Sequence, residues 1–168
     1  RHGDQAEGDP QNDDEHRARS AGLELKCRQA VHCAPPASEL VNTTVVIGTN
    51  NSNGTDHTAQ EIAYGVQAVV MAARAKLPDT PVLLLGIFPR GAKPNPQREK
   101  NAQASALAAK IADGKVVHYL DIGDKFLEKD GTLTQEMMPD ALHLSPKAYR
   151  IWAEAIEGKV KELMGEGK

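Results

Sequence analysis

Aromatic side chains are scarce: one Trp, three Tyr and two Phe in 168 residues. Aliphatic groups must therefore fill the core, and the chain is long enough for one domain with a sizeable one. Cysteine is nearly absent. Cys27 and Cys33 are too few for a disulfide framework, and their spacing matches no zinc signature. With His32 they form a sparse trio lacking a fourth ligand, so neither a metal nor any other cofactor is expected. Positive charge is not in excess. A formal net charge of -3 argues against a nucleic-acid partner or a polybasic membrane role. No apolar run approaches the roughly 20 residues of a transmembrane helix. A basic start followed by an apolar stretch is also missing, so no secretory leader is read. The chain opens on Arg1 rather than Met, which leaves its natural start open and its compartment undetermined, with the cytoplasm as the default. There is no internal repeat. No Gly-rich phosphate loop follows the first strand that can be read, which counts against a flavodoxin-type nucleotide binder.

What is present is unevenly distributed. Residues 1–40 carry eight acidic and five basic side chains, and the remainder of the chain is balanced. Arg1 to Ser20 has almost no large apolar residue and cannot offset its ordering entropy by burial, so it is expected to be disordered. Gly22 to Ala34 could form a short helix or strand, and Pro35-Pro36 ends it. From Val41 the texture changes, and 41–168 reads as the folded part.

Val45-Val46-Ile47 is a short apolar run stopping at Gly48, the pattern of a buried strand. Thr58 and Glu61 are spaced as a capping box, and Ile62, Val66, Val69, Val70 and Ala73 continue as a helical stripe up to Leu77-Pro78. Val82–Phe88 and Val116–Ile122 read as further strands. Pro89–Gln97 is a Pro- and Gly-rich loop before a helix carrying Ala102, Leu107, Ala108 and Ile111. Asp130-Gly131 is a turn. Ser145 and Pro146 suit the start of a last helix with the stripe Tyr149, Trp152, Ile156, Val160 and Leu163. These patterns predict parallel strands near 43–47, 82–87 and 116–121, with helices near 58–76, 97–112 and 146–164. Strands alternating with helices imply an α/β parallel sheet covered on both faces, with function in loops beyond the strand C-terminal ends.

Two of those loops carry chemistry. Asp140 precedes His143 by three residues, just ahead of a capped helix. A short loop can fold the carboxylate onto the ring, fix its tautomer and leave the other nitrogen as a general base. The ordinary alternative is a surface Asp and an unrelated His. Gly48-Thr49-Asn50-Asn51 ends a strand, where Gly permits a sharp turn and an Asn amide can donate to a developing oxyanion. The ordinary alternative there is an Asn-rich turn. Arg90 and Arg98 flank the Pro-rich loop and could meet an anionic substrate group, although a solvated loop charge is the simpler reading.

The strand ending in Gly-Thr-Asn-Asn, then Leu83-Leu-Leu-Gly-Ile-Phe-Pro-Arg-Gly-Ala-Lys-Pro-Asn-Pro-Gln-Arg-Glu-Lys-Asn101, then Asp140-Ala-Leu-His-Leu-Ser145 resembles the SGNH (GDSL-like) hydrolase superfamily. Within it, the likeness is to the catalytic subunits of brain-type platelet-activating factor acetylhydrolases and their bacterial relatives, from about Val41 to Leu163. The resemblance implies a three-layer, flavodoxin-like α/β fold and hydrolysis of small acyl esters, acetyl among them, without a metal. By position it makes Asn50 the oxyanion residue and Asp140 and His143 the acid and base. It puts Thr49 and Leu142 in the wall of the acyl pocket. It also leaves a homodimer open.

The family's Gly-Asp-Ser nucleophile block and its oxyanion-Gly block, with their two strands, are missing. Gly3-Asp4-Gln5 and Gly8-Asp9-Pro10 lack the Ser. Of Ser20, Ser38, Ser52, Ser105 and Ser145, only Ser52 lies in a suitable loop, and it follows the oxyanion Asn on the wrong strand. Residues 1–40 thus read as foreign to the family. The expectation is a serine esterase whose present 168 residues are inactive. The alternative is a non-catalytic fragment or pseudoenzyme serving as an interaction module.

Overall fold

β-Branched Thr43, Thr44 and Val45 form β1 (Thr43–Val45), the first strand of a computed structural model that describes residues 42–165. The readings made for residues 1–41, including the Cys27, His32 and Cys33 trio, lie outside the described residues. β2 (Val82–Leu85) and β3 (Val117–Leu120) complete a sheet of order β1-β2-β3 among the described residues. Both pairings are parallel, with Val45 opposite Leu84 and Leu84 opposite Tyr119. All four residues of β2 are buried, as a continuous apolar strand covered on both faces should be. The strands are shorter than expected: the β1–β2 ladder stops at Val45, ahead of the turn at Gly48, and the β2–β3 ladder runs only from Val82 to Leu85.

α1 (Ala59–Lys76) starts at the expected capping box: Glu61 N donates to Thr58 Oγ1 at 3.2 Å, and Thr58 N to Glu61 Oε2 at 2.7 Å. Ile62, Val66, Val69, Val70 and Ala73 are all buried, and the helix ends at Leu77, before Pro78. α2 (Pro96–Ala108) begins with Asn95 as cap and Pro96 in the first turn, then tightens into a 3-10 turn at Ala109–Ile111. Its inner face is Asn101, Ala104, Ser105 and Ala108. Ala102, one of the apolar residues on this helix, is exposed. The apolar residues alone mislead here because two polar ones share the buried face: Ser105 Oγ accepts from Ile87 N at 2.8 Å, so its burial is satisfied.

α3 (Pro146–Leu163) is capped by Ser145, whose Oγ accepts from Ala148 N at 3.2 Å. Ala148 is the helix's fully buried contact. Ile151, Trp152, Ala155 and Ile156 pack partly buried against Ile122, Phe126, Leu133 and Met138. Tyr149, expected in the stripe, points outward at 54% exposure and stacks on Trp152 with ring centroids 5.8 Å apart. Tyr149 follows buried Ala148 by one residue, about 100° further round the helix, and so faces away from the core. Phe88 bridges Phe126 and Trp152 at 4.9 and 5.2 Å, so that four of the six aromatics, with Tyr149, gather in one cluster.

Candidate active site

Gly48 turns the chain beyond β1 with φ of 117°, a conformation L side chains rarely adopt. A Cβ there would lie 2.8 Å from Ile87 Cδ1. The turn delivers a 3-10 segment, Thr49–Ser52. Asn50 is exposed on it, and Thr49 is half-buried. Ser52 is 1% exposed, and its hydroxyl donates to Thr49 O at 2.7 Å. The group is thereby turned inward to brace its own loop. α2 holds the loop from the side. Gln97 Nε2 donates to Asn53 Oδ1 at 2.9 Å, Lys100 Nζ to Gly54 O at 2.9 Å, and buried Asn101 Nδ2 approaches Thr49 Oγ1 at 3.4 Å.

The second loop is organised around one carboxylate. Asp140 Oδ1 accepts from His143 N at 2.7 Å and from Leu142 N at 3.0 Å. Oδ2 lies 2.6 Å from His143 Nδ1. Ala141 at φ 57° makes this tight return feasible; it is the one non-glycine residue with positive φ among those described. Amide donation from His143, then the ring contact, hold the Asp140 carboxyl well below the usual carboxylate range. The carboxylate therefore stays ionised at neutral pH and orients the ring by Nδ1. Both side chains remain solvent-exposed, and Leu142 between them is half-buried.

A third loop joins the other two. Arg90 Nη1 donates to Thr49 O at 3.0 Å, and Gly91 N donates to Ala141 O at 2.8 Å. The Asn50 and His143 loops are therefore both tied to the Arg90–Gly91 loop, which follows β2 at its C-terminal end. Arg98 is not a solvated loop charge. Its Nε donates to Arg90 O at 3.2 Å, Nη1 to Gly131 O at 2.6 Å, and Nη2 to Gly91 O. Partial burial lowers its pKa from the ordinary arginine value. Arg90 is likewise bound to backbone rather than free. Nothing in the spacing of the two arginines shows these roles, because their acceptors are carbonyls of loops distant in sequence. The Asn95-Pro96 pair, inside the segment read as a loop, carries a cap signal that could have been found: Asn95 Oδ1 accepts from Arg98 N at 3.0 Å.

Ser105 and Ser145 are also engaged. Ser105 accepts from Ile87 N inside the core, and Ser145 Oγ donates to Glu136 O at 2.6 Å while capping α3. Ser20 and Ser38 lie outside the described residues.

Parallel strands, α-helical connections and polar loops at the strand C-terminal ends define an α/β protein. The chain belongs to the GDSL-like lipase/acylhydrolase family, whose model matches residues 9–151. The match opens inside the segment read as 1–40. The chain is 37% identical over 123 residues to the human platelet-activating factor acetylhydrolase IB subunit alpha1, covering 73% of this chain and 52% of that one. The Gallus gallus alpha2 subunit gives the same identity and coverage. The chain thus spans about half the length of the curated relatives it matches. Among solved structures, a carbohydrate acetylesterase from Sinorhizobium meliloti is 27% identical, with a TM-score of 0.55, over 76% of this chain and 64% of that one. A peptidoglycan O-acetylesterase shares the fold at a TM-score of 0.55 and 17% identity, over 73% of this chain and 37% of that one.

Proposed function

We propose that the whole protein is a serine ester hydrolase that removes small acyl groups, acetyl foremost, from an alcohol. The observation carrying this reading is the Asp140 carboxylate 2.6 Å from His143 Nδ1, in a loop tied to the one bearing Asn50. His143 Nε2 takes the proton of a serine hydroxyl as that oxygen attacks the ester carbonyl carbon. Asn50 donates to the oxygen that gains negative charge in the tetrahedral intermediate. Collapse expels the alcohol, which takes its proton from the imidazolium. Water then repeats the sequence on the acyl-enzyme and releases the acid. Thr49 and Leu142 flank the acyl group. The acetyl preference draws support from the relatives, named as acetylhydrolase subunits and an acetylesterase.

The nucleophile comes from outside the described residues, since Ser52, Ser105 and Ser145 are each committed to structural hydrogen bonds. That same commitment favours a second reading for the 168 residues by themselves: a non-catalytic interaction module. One experiment separates the two. Grafting a Gly-Asp-Ser segment with its strands from a relative is expected to produce p-nitrophenyl acetate hydrolysis that His143→Ala abolishes. A folded graft with no turnover, or with turnover indifferent to His143→Ala, counts against the hydrolase reading.

A further inference from the structure

Arg90 has two neighbours in the site yet touches neither Asn50 nor His143 by any hydrogen bond described. Its guanidinium donates to the carbonyl of Thr49, which belongs to the same peptide unit as the amide of Asn50. The next residue donates its amide to Ala141 O, in the turn between Asp140 and His143. The Arg90-Gly91 pair is itself fixed from the opposite side. Asn95 Nδ2 donates to Arg90 O at 3.1 Å, Arg98 Nε donates to the same carbonyl at 3.2 Å, and Arg98 Nη2 takes Gly91 O. Gly91 has φ of 80°, and a Cβ would lie 2.3 Å from Asn95 Nδ2, so no other residue fits between the two clasps.

We propose that Arg90 is a positioning residue that sets the separation of the Asn50 loop from the Asp140–His143 loop. The inference rests on the hydrolase reading for its purpose, but not for its test. The physical argument is geometric. An oxyanion donor and a general base must be held within about 0.5 Å of their working places. Here Asn50 stands on a short 3-10 turn and His143 on an irregular loop, neither on a strand. Among the described residues a strut of one side chain and one peptide connects them. A guanidinium suits that task because it is always charged and its planar fork fixes direction as well as distance. The hydrogen bond to Thr49 O also polarises the peptide whose amide belongs to Asn50.

The test is hydrogen–deuterium exchange, read peptide by peptide, on the full 168-residue chain and on Arg90→Ala and Arg90→Lys. In Arg90→Ala, peptides covering 48–54 and those covering 140–145 are both expected to exchange faster. The increase should be about tenfold, the scale of losing one charge-assisted hydrogen bond. Peptides from β2 and β3 should be unchanged. Arg90→Lys should recover part of the protection at both loops. Faster exchange at 48–54 alone would overturn the proposal, since Arg90 would then serve one loop only. Acceleration spread equally over the strands would overturn it too, by showing a general stabilising role. No change at either loop would refute it outright. None of these results depends on ester turnover, so a failed hydrolase reading and a failed strut remain distinguishable.

Discussion

Asp140 grips His143 twice, by the backbone amide at 2.7 Å through Oδ1 and by ring Nδ1 at 2.6 Å through Oδ2. One carboxylate thereby sets both the path of the loop and the orientation of the ring. The consequence is a fixed tautomer. In the neutral ring the proton should reside on Nδ1, leaving Nε2 as the acceptor. Ring 15N shifts should show this in the intact chain and lose the preference in Asp140→Ala. A mixed tautomer population in the intact chain would contradict the assignment. The stability effect should be small, because exposed pairs contribute little.

Asn50 is exposed, while Ser52 in the same turn is buried. In a grafted, active version, Asn50→Ala should lower kcat by about 100- to 1,000-fold with little change in KM, the size expected for one oxyanion donor. Ser52→Ala should cost stability, about 1 kcal/mol for its hydrogen bond, and leave kcat within a few-fold. Kinetic parameters and urea midpoints of the two variants check both halves.

Gly48→Ala should be more damaging than its size suggests. The left-handed backbone alone costs about 1–3 kcal/mol for a non-glycine residue. The added methyl group would also press on Ile87, whose amide is held by Ser105. A lower urea midpoint with an unchanged m-value is expected. Wild-type stability would mean that the turn relaxes freely.

Much of this is legible in the sequence, and the reasons differ by residue. β2 announces itself as an unbroken apolar run, and Thr58 with Glu61 is a local signature whose partners sit three residues apart. Asp140 and His143 are local in the same sense. By contrast, Arg90 and Arg98 reach carbonyls far off in sequence, and no pattern in their own segment shows it. Asn101 and Ser105 were hidden for a related reason: a polar residue on a buried helix face is explained only by the loop it meets. Tyr149 shows the reverse error, a large apolar ring at helical spacing that ends on the rim.

Asp113 supplies an acid-sensitive element. Its Oδ1 accepts from Lys115 N at 2.9 Å, Val116 N at 2.8 Å and Val117 N at 2.9 Å, at the entrance to β3. Those amides, Lys115 first, pull its pKa down from 3.8 to about 2. A carboxylate depressed on folding stabilises the fold above its unfolded pKa and loses that contribution as pH falls through the folded value. Asp113→Asn should therefore lower the urea midpoint at neutral pH. The gap to the unaltered chain should narrow as pH falls from about 4 towards 2. A gap independent of pH across that window would show that the charge is not what the amides recognise.

β1 sets the last expectation, for the 168 residues by themselves. Among the described residues it pairs on one side only, with β2, yet Val45 is buried. Among the described residues its other side has no strand partner, and such an edge is the kind of surface on which a further strand can add. Each backbone amide or carbonyl left buried and unpaired costs about 1–3 kcal/mol. A few of them are comparable with the whole stability of a small domain, about 5–15 kcal/mol. Association through that edge relieves the cost, so the purified chain should elute larger than a monomer. It should also give no p-nitrophenyl acetate turnover, since each serine among the described residues is already committed to a structural hydrogen bond. Introducing Lys at Thr44, the exposed residue of β1, should shift the chain towards monomer by charging the edge. A cooperatively melting monomer that hydrolyses the ester, with the rate lost in Ser52→Ala, would overturn both expectations. The buried hydroxyl of Ser52 would then have to leave Thr49 and turn outward to reach His143.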